Sequence, residues 1–185
     1  MTQPLIATYA AWAAWVVSWG LASFWSSRAE KTPGTGNQTL YRLLMGAGGV
    51  MIFAPQLNVH PLWHMPEALA WAMAALTAAG FLFCWWARIH LGLLWSSSVT
   101  KKSDHRVVDT GPYRLVRHPI YTGLIFASYA VAFERGTVSA LIGATVMLLG
   151  CTVKARLEER FLRQELGRDA YDAYAARVPM LIPFL

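Results

Sequence analysis

The densest set of chemically capable side chains is the run Gly111-Pro112-Tyr113-Arg114-Leu115-Val116-Arg117-His118-Pro119-Ile120-Tyr121-Thr122-Gly123. Pro119 suits the first turn of a helix, where its missing N–H costs nothing, and the residue before a proline is held extended. Arg117 and His118 therefore stand at the mouth of a helix, where a cation gains nothing from the helix dipole. Two donors in so unfavourable a place point to an anion in front of them, either a lipid phosphate reached by snorkelling side chains or an anionic ligand. The second set is the pair Glu158-Glu159. At about 100° per residue, Leu157, Phe161 and Leu162 define an apolar arc that contains Glu158 and has Glu159 at its edge. A carboxylate on a packing face is costly unless a cation or several N–H groups meet it. Arg117 or a cationic ligand would meet Glu158; a plain Arg–Glu pair that pins the tail to the rest of the chain would also do so.

The elements that must position these groups belong to an unusual solvent. The 185 residues are 56% hydrophobic and only 14% charged, against about 25% charged in a typical soluble domain. Such a chain is not disordered, not a nucleic-acid-binding tail and not an ordinary cytosolic enzyme, and its length is that of one domain. Apolar blocks cover residues 5–25, 43–59, 68–87, 119–133 and 137–153, and about 20 residues cross a hydrocarbon core of some 30 Å. The first block lacks a basic leader and a clear cleavage site, so it reads as a span rather than a signal peptide. The fourth reaches only about 22 Å as a helix and is expected to tilt into a hairpin with the fifth.

The net charge of +6 does not gather on one stripe as nucleic-acid binding requires. With the N-terminus outside, every Lys and Arg except Arg135 falls on the inner side, the asymmetry that membrane topology imposes. The loop 88–118 and the tail after Val153 are then cytosolic. Residues 154–166 read as a separate amphipathic helix stopped by Gly167, followed by a short helix over 169–177 carrying Tyr171 and Tyr174. The predicted fold is all-α: one multi-pass membrane domain, 1–185, with three transmembrane helices in 1–87, two more in 88–185, and a cytosolic amphipathic tail. Cys84 and Cys151 lie in apolar blocks without metal or redox spacing and read as core thiols. Gly46, Gly48 and Gly49 sit inside an apolar helix, where close helix packing accounts for them. His60 and His64 have the spacing of a metal pair, but Pro61 interrupts them, no third ligand is near, and Trp63 makes them part of an interfacial belt. No metal site is predicted.

Taken in order, Leu91-Gly92 with Trp95-Ser96, then Gly111-Pro112-Tyr113-Arg114, then Arg117-His118-Pro119-Ile120-Tyr121-Thr122-Gly123, then Glu158-Glu159, then Gly167, Tyr171, Tyr174, Val178 and Pro183 resemble the isoprenylcysteine carboxyl methyltransferase family. The likeness covers about half the chain, from the end of the third block to the C-terminus. It implies an integral-membrane enzyme using S-adenosylmethionine, with a pocket built from the RHPxY segment and the tail and capped on the cytosolic side. Carried over by that resemblance, His118, Tyr121 and Glu159 hold the methionine and ribose part of the cofactor. Tyr113, Val116 and Leu181-Ile182-Pro183 wall the adenine, and Arg117 and Glu158 are the catalytic pair beside the reacting groups. Arg117 would grip an acceptor carboxylate with two hydrogen bonds, and a gap between helices would admit a lipophilic chain from the bilayer.

The same layout is similar to that of phospholipid and other small-acceptor methyltransferases and of membrane sterol reductases that use NADPH. The reductase reading fits less well, because the chain is short, has Ile120 where a polar residue is usual, and keeps Glu158-Glu159. A membrane adaptor binding anionic lipid would explain the charge split but not the His, Tyr and Glu series. The Ala- and Trp-rich composition points to a bacterial inner membrane, where the acceptor could be another lipophilic carboxylate, a thiol or an amine. The partners implied are that acceptor and membrane lipid, not nucleic acid; the sequence leaves the oligomeric state open.

Overall fold

The computed structural model describes residues 1–24, 35–92, 95 and 108–183, apart from the side chains at 35–37, 166 and 168. Ser96 and most of the loop expected to be cytosolic lie outside the described residues. Six helices carry the described fold, and no strand occurs among these residues. α1 (Gln3–Ala22) takes Pro4 in its first turn. α2 (Thr35–Phe53) stops where Pro55 opens a single 3₁₀ turn, Pro55–Leu57, and the Asn58 amide donates to the carbonyls of Met51, Ile52 and Ala54 at 3.0, 3.3 and 2.8 Å. α3 (Glu67–Leu91) ends at Gly92, φ +57°. A second 3₁₀ turn, Gly111–Arg114, leads to α4 (Pro119–Arg135). Left-handed Gly136 turns the chain into α5 (Val138–Leu166), and Gly167 separates it from α6 (Arg168–Ala175).

Three differences from the sequence reading have local causes. α5 is one continuous 29-residue helix, not a membrane block followed by a separate tail helix after Val153. Residues 151–166 hold neither glycine nor proline, so the change from apolar to charged composition does not interrupt the backbone hydrogen bonds. α3 runs past the apolar block to Leu91 and takes in Arg88, which is fully buried. Arg88 Nη1 and Nη2 donate to the carbonyls of Gly92 (2.8 Å) and Ala22 (2.9 Å), so one guanidinium closes the C-terminal ends of α3 and α1. Third, three helices rather than five are long and apolar enough to cross a membrane: Gln3–Ala22, Glu67–Leu91 and Val138–Glu165. α4 has only 17 residues, and the first two turns of α2 carry Gln38, Thr39 and Arg42.

α3 packs on α4 and α2 on α5, the two pairs meet along α4 and α5, and α1 lies against α3. Both pairs close through glycine. A Cβ on Gly80 would lie 2.7 Å from the Gly123 carbonyl oxygen, and one on Gly123 would strike the Gly80 carbonyl. Gly48 and Gly143 meet in the same way, each added Cβ falling 2.8 Å from the other's carbonyl oxygen. In lipid no hydrophobic force drives helices together, so backbone approach of this kind supplies the packing. Of Gly46, Gly48 and Gly49 only Gly48 serves it; a methyl group added at Gly46 or Gly49 would meet nothing within 4 Å. α1 is joined by aromatic contacts, with Trp12 edge-on to Phe81 and Phe53 (4.9 and 5.0 Å) and Trp15 stacked on Phe81. Val16, Val17 and Leu21 on α1, Leu82 on α3, and Ile142 and Leu149 on α5 are exposed, an apolar belt that lipid covers.

Gly123→Ala should destabilise the protein by about 1–3 kcal/mol through overpacking, whereas Gly46→Ala should stay within roughly 0.5 kcal/mol. Thermal unfolding in detergent would check both; equal losses would mean that the glycine contacts do not hold α3 to α4.

Candidate functional site at the mouth of α4

The mouth of α4 is built by its own first turn and by the tail. His118 is the residue before the helix, with Pro119 in the first turn. His118, at φ −126° and ψ 64°, is not fully extended as expected before a proline, and the backbone N–H groups of Arg117 and His118 donate to the carbonyls of Pro179 (2.8 Å) and Met180 (3.1 Å). One turn on, Thr122 Oγ1 donates to the Leu181 carbonyl at 2.7 Å. The tail thus runs beside the residues expected to do chemistry, and the peptide groups left unpaired at the helix start and in the tail satisfy one another.

The side chains converge on α5. Arg117 Nε donates to Glu159 Oε1 at 2.7 Å, and its Nη1 donates to the carbonyls of Ala175 (3.0 Å) and Val178 (2.5 Å). His118 Nε2 lies 3.2 Å from Glu159 Oε1 and Nδ1 3.5 Å from Glu158 Oε2. Tyr121 donates to Glu158 Oε1 at 2.6 Å, and its ring stacks on His118 at 5.5 Å. Arg163 extends the cluster, with Nη1 3.4 Å from Glu159 Oε2 and Nε donating to Asp172 at 2.6 Å. Its guanidinium also lies over the Tyr171 ring. The structure therefore brings Arg117, His118, Tyr121, Glu158 and Glu159 into one constellation.

Within it the pairing differs from the expectation. Arg117 meets Glu159, not Glu158, and Glu159 is the deeper carboxylate, with 7% of its side chain exposed against 21% for Glu158. The arc drawn through Leu157, Phe161 and Leu162 is not the packing face, since all three are only half-buried; Ala155 and Glu159, one turn apart, are buried. Lys154 is also buried, and the sequence reading misses it; its position one turn before Glu158 is the signal that could have found it. Tyr41 of α2, 2% exposed, carries no such signal, because only the fold brings it to Lys154.

The expected adenine wall occupies two places. Tyr113 and Val116 are buried, and Tyr174 donates to the Tyr113 carbonyl at 2.7 Å. Leu181 and Ile182 line an apolar groove of about 760 Å³ together with Leu76, Thr122, Phe126 and Thr152. Pro183 follows, half-buried. The groove runs along α3, α4 and α5 from the tail toward Phe133.

Charge is tightly allotted here. A neutral imidazole presents one bare acceptor nitrogen, which a carboxylate repels, so two carboxylates facing both ring nitrogens require the imidazolium. Burial alone lowers the pKa of His118, but hydrogen bonds and charge from Glu158 and Glu159 outweigh it, leaving the value raised. The sign follows: stability from a raised histidine pKa is complete below the unfolded value and lost as pH rises through the folded one. The melting temperature should therefore fall as pH climbs above the ordinary imidazole value, and His118→Gln should flatten that slope. An unchanged slope in the variant would place the proton elsewhere.

Residues 73–164 match the isoprenylcysteine carboxyl methyltransferase (ICMT) family. The chain is 33% identical over 88 residues to protein-S-isoprenylcysteine O-methyltransferase B of Arabidopsis thaliana, covering 47% of this chain and 44% of that protein. It is 32% identical over 112 residues to a probable protein-S-isoprenylcysteine O-methyltransferase of Oryza sativa subsp. indica, covering 60% and 53%. It is also 43% identical over 72 residues to methanethiol S-methyltransferase 1 of Bradyrhizobium diazoefficiens, covering 39% and 24%. The chain spans about half the length of the isoprenylcysteine methyltransferases it matches. The matched stretch holds α4, most of α3 and α5, and every member of the Arg117, His118, Tyr121, Glu158 and Glu159 constellation, and through it the chain is similar to the isoprenylcysteine carboxyl methyltransferase family.

Proposed function

We propose that this protein transfers a methyl group from S-adenosylmethionine to a lipophilic acceptor at the membrane–cytosol boundary, with the carboxylate of an isoprenylcysteine-type molecule as the acceptor. The observation that carries the reading is the adjacency of the charged constellation to the apolar groove, through the tail segment Met180, Leu181 and Ile182. The donor set suits the cofactor. Glu159 and His118 match its methionine and ribose part, and the buried Tyr113 ring its adenine. Val116, Leu181, Ile182 and Pro183 complete the apolar wall around the base, and Tyr121 shares with His118 and Glu159 the methionine and ribose part.

When bound, the cofactor supplies an electrophilic methyl group on a sulfonium. The protein's own residues align the acceptor and exclude water. Both nitrogens of His118 are committed to carboxylates, so it is not a free base, which favours an acceptor already ionised near neutrality. A carboxylate meets that condition. Arg117 is the residue to orient it: Nε and Nη1 are anchored to Glu159 and the tail, which fixes the plane of the guanidinium. Glu158, more exposed than Glu159, stands toward the reacting groups. The groove between α3, α4 and α5 receives the acceptor's chain from the bilayer. A thiol acceptor is the second reading, favoured by the likeness to a methanethiol S-methyltransferase.

Placement in the membrane belongs to the same reading. The N-terminus lies outside and the tail is cytosolic, in a bacterial inner membrane. The distribution of Lys and Arg supports this orientation.

In detergent, S-adenosylhomocysteine should bind the purified protein while NADPH does not; the reverse would make the protein a reductase. With N-acetyl-S-farnesylcysteine as acceptor, Arg117→Ala and Glu158→Ala should each lower kcat/KM by at least about 100-fold, equivalent to ~2.7 kcal/mol. Near-normal turnover in both would remove them from the catalytic site. Filling the groove with Phe126→Trp should raise KM for the farnesylated acceptor about ten-fold and leave S-adenosylhomocysteine affinity unchanged; calorimetry and initial rates separate the two effects.

A further inference from the structure

A lysine near a membrane boundary normally carries its ammonium out to water along its apolar stem. Lys154 keeps its own inside, the residue being 8% exposed. Its Nζ lies 5.3 Å from the ring centre of Tyr41 and 5.4 Å from that of Tyr121. Both distances fall within the reach of cation–π attraction, which strengthens as the cation is desolvated. Tyr41 is anchored on α2, donating its hydroxyl to Gln38 Oε1 at 3.3 Å, an oxygen that also accepts from Arg42 Nη2 at 2.9 Å. Tyr121 is held from its other functions, stacked on His118 and donating to Glu158. Its ring thus meets two cationic side chains while its hydroxyl holds the carboxylate, and Lys154 sits one helical turn before that carboxylate on α5.

We propose that Lys154 is a positioning residue. Its ammonium, clasped between Tyr41 and Tyr121, fixes the Tyr121 ring so that the hydroxyl stays on Glu158, and thereby makes α2 part of the site. α2 lies outside the stretch that matches the family, so this link is a contribution of the N-terminal half of the chain. Lys154 acts through Tyr121 and Glu158 and touches neither methyl donor nor acceptor. The proposal rests on the assignment of those two residues to the methyl-transfer site.

The test is S-adenosylhomocysteine affinity, by calorimetry on the full chain in lipid nanodiscs, across Lys154→Met, Lys154→Arg, Tyr41→Leu, Tyr41→Phe and the Lys154→Met/Tyr41→Leu double variant. Lys154→Met and Tyr41→Leu should each weaken binding roughly ten-fold, the scale of a desolvated cation–π contact. Lys154→Arg and Tyr41→Phe keep charge and ring, and should stay within about three-fold of the unsubstituted protein. The double variant should bind no worse than the weaker single one, because partners in one contact are not additive. A merely structural role would lower the melting temperature without moving the affinity of the folded fraction. Unchanged affinity in Lys154→Met, or additive losses in the double variant, would overturn the proposal alone. Absence of binding by the unsubstituted protein would overturn the methyl-donor reading and this proposal with it.

Discussion

Glu159 is the group on which the α4-mouth end of the molecule closes. Its carboxylate is almost fully buried and is met by Arg117, His118 and Arg163, three side chains that arrive from the mouth of α4 and from α5 itself. An uncompensated buried charge would cost several kcal/mol, so each of these partners must be in place for the fold to tolerate it. Arg117 can reach it only while its other nitrogen caps the carbonyls of Ala175 and Val178 at the end of α6. One ionic contact therefore decides where α6 docks, where the chain after it runs, and which backbone atoms face the start of α4.

From that constraint the remaining geometry follows by proximity. Once the segment around Pro179 and Met180 lies along Arg117 and His118, its next residues fall on Thr122 and become the inner end of the apolar groove. The polar constellation and the apolar groove are two sides of the same strap of tail. This arrangement sets a buried charged cluster directly beside an apolar groove, with the peptide groups of the strap paired to the start of α4.

The other half of the architecture obeys a different rule. Helices in lipid associate by close approach, not by escape from water, and here the approach is made by Gly80 with Gly123 and Gly48 with Gly143. Those contacts fix the spacing of α3 against α4 and of α2 against α5. They also determine how far α2 can lean toward the site, and hence that Tyr41 reaches Lys154.

Composition and local pattern were enough to indicate the helical class, the membrane solvent, the turn at Gly136 and the stop at Gly167, because these depend on residues within one or two turns. The members of the site were also legible: Pro119 marks a helix start, and a Glu pair on a partly apolar helix announces a buried charge. Their pairing was not. Which carboxylate meets Arg117 depends on the rotation of α5 about its axis, and that rotation is set by contacts with α2 and α4 from distant parts of the chain. For the same reason the sequence did not reveal the burial of Arg88 against the end of α1 or the meeting of Tyr41 with Lys154. Each is decided by where separate helices come to rest against one another, a property of packing that no local stretch of residues contains.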